Sequence, residues 1–86
     1  MHRVIPTDDY RRAIRDFPRR TQAIARRQVD ILASNWRDPR LHIKKLKGYG
    51  NIYSFRITRN YRAFFYFDAD DDIIVFDADD RKDAYR

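Results

Sequence analysis

Two arginines, Arg56 and Arg62, flank an Arg59-Asn60 dipeptide in the aromatic middle of this chain. Residues 51–58 and Tyr61–Phe67 each alternate along the sequence, and a two-residue polar connection is short enough for a tight turn, so they read as an antiparallel hairpin. Alternation gives Tyr53, Phe55 and Ile57 one face of the first strand and Ser54, Arg56 and Thr58 the other. In the second strand Ala63, Phe65 and Phe67 share a face, and Arg62, Phe64 and Tyr66 share the opposite one. One side can be core. The other is aromatic and cationic, which is the chemistry of a surface that handles phosphates and bases. Arg56 and Arg62 fall on like-facing positions across the hairpin, where equal charges repel. Such a pair implies an anion or a carboxylate between the two heads.

Further cations gather near this hairpin. Lys44, Lys45 and Lys47 precede Gly48, and Arg81 and Lys82 lie in the tail. The lysines read either as a phosphate-contacting loop or as a solvated basic turn; strand arginines are less easily assigned to solvation. Tyr49, Tyr53 and Tyr61 can stack bases, although half-buried sheet tyrosines are the commoner case. Metal chemistry has little support. The chain lacks cysteine, His2 and His42 are far apart with no ligating neighbour, and the aspartates at 68, 70, 71 and 72 lack the glycine and terminal glutamate of a calcium loop. A turn that solubilises the sheet end suits those aspartates better. No glycine-rich phosphate loop and no serine elbow is present.

The elements that must position these groups follow from periodicity. Residues 2–6 form a short edge strand or arm. Thr7, Asp8 and Asp9 are N-cap and first-turn residues, and Tyr10, Ala13, Ile14 and Phe17 make one apolar stripe, which Pro18 breaks. A second helix is expected over about 21–36, with Ile24, Ala25, Val29, Ile31, Leu32 and Trp36 as its apolar face; Asp38-Pro39 closes it. Residues 73–78 form a third strand of the sheet, and residues 79–86 a loop or helical turn. The order is β-α-α-β-β-β in a single domain over residues 1–86. It predicts an α+β two-layer fold, with an N-terminal helical hairpin packed on a twisted, mainly antiparallel sheet. Tyr10, Ile14, Phe17, Val29, Leu32, Phe55, Ile57, Phe65, Phe67, Val75 and Phe76 are the expected core. If residues 68–72 simply connect, the end of the third strand returns beside the start of the second. That brings Arg81 to Arg62, with Asp77, Asp79 and Asp80 close enough to pair with the arginines.

The net charge of +6 is unevenly spread. Residues 1–66 hold 16 Lys and Arg against 5 Asp, or +11, and residues 67–86 hold 3 against 8, or −5. The basic part suits a polyanion or an acidic protein partner. Of the 19 cations 15 are arginine, whose rigid fork matches phosphate, though a GC-rich genome accounts for the total equally well. No apolar run approaches membrane-spanning length and no signal peptide precedes the first polar residues, so a soluble, cytoplasmic protein without membrane association is expected.

Four short motifs in order, Leu46-Lys47-Gly48, Tyr53-Ser54-Phe55-Arg56-Ile57, Asn60-Tyr61-Arg62 and the tail 80–86 (DRKDAYR), resemble the RelE/ParE superfamily of bacterial toxins from toxin–antitoxin modules. The resemblance covers the whole chain in element order and is dense over residues 46–86. It implies a cognate antitoxin and one of two activities. The RelE branch cleaves mRNA in the ribosomal A site without metal or other cofactor, the ribose 2′-hydroxyl attacking the adjacent phosphate. The ParE branch binds DNA gyrase and is not catalytic; a third alternative is an inactive relative that binds only its antitoxin. The ribonuclease reading is the favoured one. By position, Arg62 and Arg81 match phosphate-stabilising arginines, and Arg56 supports them. Tyr85 matches the tail tyrosine that contacts the reacting base or ribose, and Tyr85 or Asp80 would move the proton. Lys44, Lys45, Lys47, Tyr61 and Lys82 would hold RNA. Three positions depart from the family pattern: Arg56 and Ser54 stand where lysines are common, and Asp80 stands where a histidine is common.

Overall fold

In the computed structural model, which describes residues 1–80, the hairpin is the centre of a five-stranded sheet. The strands are β1 (Val4–Pro6), β2 (Lys44–Lys45), β3 (Tyr53–Thr58), β4 (Tyr61–Phe67) and β5 (Ile73–Asp80), in the spatial order β1-β5-β4-β3-β2. β1 runs parallel to β5, and the other pairings are antiparallel. Two helices, α1 (Asp8–Arg15) and α2 (Arg19–Ser34), pack on one face. The α+β two-layer expectation is met.

The helices start where side chains can replace missing backbone partners. Thr7 caps α1, its hydroxyl accepting from the Tyr10 amide at 3.2 Å. Asp8 and Asp9 lie in the first turn and Arg12 and Arg15 in the last, which complements the helix dipole. Pro18, extended at ψ 146°, is the N-cap of α2, so this helix begins at Arg19 rather than near residue 21. Gln22 closes the corner between the helices by donating to the Phe17 carbonyl at 2.8 Å. α2 stops at Ser34 because Asn35 is extended. A 3₁₀ turn over Pro39–Leu41 follows, capped by Asp38.

β3 and β4 bury the face that alternation assigns to the core. Phe55, Ile57, Ala63 and Phe65 are buried together with Tyr10, Ala25, Leu32, Leu41, Ile73 and Val75. Ile14, Phe17, Val29, Trp36, Tyr53 and Phe67 pack partly buried around them. Trp36 meets Phe67 and Tyr53 edge-on, at 5.1 and 5.7 Å between ring centroids.

Three expectations need correction. β5 runs to Asp80, so Asp79 and Asp80, expected to open a loop, are strand residues paired with Arg62 and Tyr61. Phe76 is not in this core. The β4–β5 register steps from Phe65↔Val75 to Phe64↔Asp77, so Phe76 is an extra, bulged residue. Its ring lies beside Phe64 and Tyr66, both assigned to the other face. Lys44 and Lys45 are not loop residues. They form an exposed edge strand, Lys44 opposite Ser54 and Lys45 opposite Tyr53, where lysines discourage pairing with another chain.

Candidate functional site

The face turned away from the helices carries the candidate chemistry. Register sets three side chains in a row across it. Arg56 on β3 is opposite Arg62 on β4, which is opposite Asp79 on β5. Asp79 thus stands on the far side of Arg62 and not between the two arginine heads, where a carboxylate was expected. Arg62 donates from Nε to its Oδ1 at 3.0 Å and from Nη2 to its Oδ2 at 3.5 Å. The guanidinium also lies over the Phe64 ring, 4.9 Å from its centroid. Among the described residues no ion pair to Arg56 is formed.

A residue inside the fold fixes the strand under Arg56. Gln28 is buried in the apolar stripe of α2, and its amide donates to the Arg56 carbonyl at 2.8 Å and to the Arg40 carbonyl at 3.1 Å. It ties helix, 3₁₀ turn and strand at one point. Sequence reasoning passed over Gln28. Its signal was a polar side chain three residues after Ala25 and four before Leu32, on the buried side of the helix.

The turn feeding β2 is held by Asp38 and Arg40. Asp38 accepts from the Arg40 amide at 2.9 Å and from its guanidinium at 2.8 and 3.0 Å. The side-chain hydrogen bond from Arg40 draws the Asp38 carboxyl down to about 2, and the Arg40 pKa is raised in return. His42 follows in the left-handed region at φ 47°. With Lys44, Ser54, Arg56 and Arg62 it borders a cleft of about 40 Å³, which admits a few waters rather than a base.

A larger, open groove of about 410 Å³ runs beside Arg62, walled by Leu46, Lys47, Tyr49 and Ile52 on one side and Phe64 and Phe76 on the other. Gly48 and Gly50 bend the loop that builds this wall, at φ 79° and 62°, conformations that favour glycine. The groove is mainly apolar, with Lys47 and Arg62 at its margin.

The predicted site residues separate as follows. Arg56 and Arg62 share the open face. Lys47 borders the groove and Lys44 the cleft, while Lys45 is exposed on the edge strand. Tyr61 packs its ring against Phe17 at 4.5 Å, on the helical side of β4, and borders the cleft. Asp80 is paired in register with Tyr61. Ser54 is buried. Arg81, Lys82 and Tyr85 lie outside the described residues. Asp68, Asp70 and Asp72 can bring carboxylate oxygens within 4.8 Å of one another, but Asp68 Oδ1 already caps the Asp70 and Asp72 amides as a turn.

Two helices on this mixed sheet, with facing arginines on its open side, make a RelE-type fold, and the resemblance read from the sequence is borne out. The chain belongs to the phage-derived Gp49-like family (DUF891), whose model it matches over residues 12–84. It is similar to the toxin in a RelB–RelE complex from Methanococcus jannaschii, at 26% identity and TM-score 0.78 over 94% of each chain. An archaeal RelE–RelB complex from Pyrococcus horikoshii matches at 21% identity and TM-score 0.75, covering 93% of this chain and 94% of that one. The DinJ–YafQ toxin–antitoxin complex of E. coli shares the fold at 8% identity, TM-score 0.75, covering 99% and 98%. No curated protein sequence matches. No helix among the described residues is long and apolar enough to cross a membrane.

Proposed function

We propose that this chain is the toxin of a toxin–antitoxin pair and that it cleaves mRNA on the ribosome. One observation carries the reading: Arg56 and Arg62 face each other on adjacent strands of an open sheet face, beside an apolar groove of about 410 Å³. In the proposed reaction the 2′-hydroxyl oxygen bonds to phosphorus and the bond to the 5′-oxygen breaks. The products are a 2′,3′-cyclic phosphate and a 5′-hydroxyl. Negative charge grows on the non-bridging oxygens, where Arg62, with Arg56 beside it and Arg81 from the tail, stabilises it. Arginine stays protonated in proteins, so proton transfer falls to Tyr85 or Asp80. Lys44, Lys45 and Lys47, with Tyr61 and Lys82, hold the RNA backbone and bases. The antitoxin is expected to be acidic and amphipathic, to cover the basic face, and to bind less tightly as salt rises.

A second reading draws on two features. Asp79 pairs with Arg62, and Ser54, where relatives commonly have lysine, is buried. Both reduce the charge available to a phosphate and favour a non-catalytic inhibitor that binds gyrase. Brief induction separates the two. Cleavage sites within codons of a translated message, mapped by primer extension, support the ribonuclease. Intact message with a rise in DNA-damage signalling supports the gyrase inhibitor.

A further inference from the structure

The row Arg56, Arg62, Asp79 places one cation between another cation and an anion. Asp79 meets Arg62 with both carboxylate oxygens, at 3.0 and 3.5 Å, the two-point geometry that a phosphate also offers a guanidinium. No other described carboxylate is in ion-pair contact with Arg62. Asp77, for one, turns its carboxylate to the Ala78 amide at 2.8 Å. The pair is open to solvent, with 33% of the Arg62 side chain and 41% of that of Asp79 exposed. An ion pair so exposed is weakly held, and a stronger anion can take the arginine from it.

We infer that Asp79 is a built-in competitor for the phosphate site. It holds Arg62 extended and oriented in the free protein, and it yields the guanidinium when a phosphodiester arrives. Its charge then remains beside the phosphate and opposes it. Free RNA, which brings only local contacts, meets this opposition in full. RNA already held in place by other contacts presents its phosphate at high effective concentration and overcomes it. Asp79 thereby biases the site towards RNA delivered on a larger assembly. This inference rests on the proposed RNA reading.

The test uses the full chain and a 12-nucleotide RNA made uncleavable by 2′-deoxy substitution, with binding followed by fluorescence anisotropy over a salt series. Asp79→Asn keeps the shape and removes the charge. It is expected to bind about three- to tenfold more tightly than wild type, since like-charge juxtaposition is relieved. Its salt dependence should steepen by about 0.7, the increment for one more phosphate contact on a single strand. Adding Arg62→Gln to Asp79→Asn should erase the gain. Equal or weaker binding by Asp79→Asn, with wild-type binding sensitive to Arg62→Gln, overturns the competitor role and leaves Asp79 as a positioning residue. Binding that is absent from wild type and Asp79→Asn alike, or indifferent to Arg62→Gln in both, takes down the RNA reading itself. Wild-type protein offers a second measurement should the variant not fold. On titration with the same RNA, the Arg62 Nε–H resonance and the Asp79 carboxyl carbon should shift together. Movement of Arg62 alone contradicts the exchange.

Discussion

The β3–β4 hairpin has two faces made from interleaved residues of the same strands. On the helical side Phe55, Ile57, Ala63 and Phe65 are sealed under α1 and α2, and aromatic neighbours close around them. On the open side Arg56, Arg62, Phe64 and Tyr66 have no helical layer above them among the described residues, and cross-strand partners order three of them: Asp79 for Arg62, Phe76 for Phe64 and Tyr66. Burial holds the first face, and pairing holds the second. Substitutions on the helical side should therefore cost stability, and those on the open side should cost binding and rate.

Phe65→Ala is the largest expected perturbation. The side chain is fully buried and touches the rings of Phe55, Tyr53 and Phe67, so its loss should destabilise the fold by about 3–5 kcal/mol in a denaturant titration. A variant that melts like the parent would break the assignment of this face. Gln28→Ala is next and tests the joint between the two faces. It leaves the Arg56 and Arg40 carbonyls without their buried donor, and should cost about 1–3 kcal/mol. It should also lower the activity attributed to Arg56 more than an equally destabilising change elsewhere in the core.

The smallest effect is a pH dependence away from both faces. Folding lowers the Asp38 pKa from an ordinary 3.8 to about 2, the Arg40 hydrogen bond being the main cause. Between those values the unfolded chain binds more protons than the folded one, so the stability from Asp38 is complete above about pH 4 and is lost as pH falls through 2. The melting-temperature difference between wild type and Asp38→Asn should thus shrink on acidification from pH 5 to pH 2. A constant difference would show that the cap does not depend on the charge. Tyr10 supplies the opposite sign. Burial pushes its hydroxyl up to about 12, so its contribution is complete below pH 10 and is lost as pH rises through 12.

The sequence made the helical face legible because alternation with period two and a two-residue turn leave little choice of register. The open face was legible in part. Arg56 and Arg62 could be set opposite each other, and a carboxylate partner followed from their repulsion, although it flanks Arg62 from β5 and does not lie between the two heads. Three aspartates were candidates for it, and only the β4–β5 register, shifted by the Phe76 bulge, selects Asp79. The same bulge explains why Phe76 looked like core: no local pattern distinguishes a bulged phenylalanine from a buried one. Lys44 and Lys45 form too short a strand to show any period. Gln28 was hidden because its partners are backbone carbonyls distant in sequence. The tail residues Arg81, Lys82 and Tyr85 lie outside the described residues, and their roles rest on the resemblance alone.

The division between the faces is tested most directly at Arg62. Arg62→Ala and wild type should be compared by primer extension on a translated message after brief induction, with the melting temperature of each purified protein measured alongside. The half-exposed pair with Asp79 contributes little to folding, so stability should change by about 0–1 kcal/mol. Cleavage should fall by about 10²–10³, the usual loss on removing one charge-stabilising group. A folded Arg62→Ala protein that still cleaves the message at the wild-type rate would contradict the account.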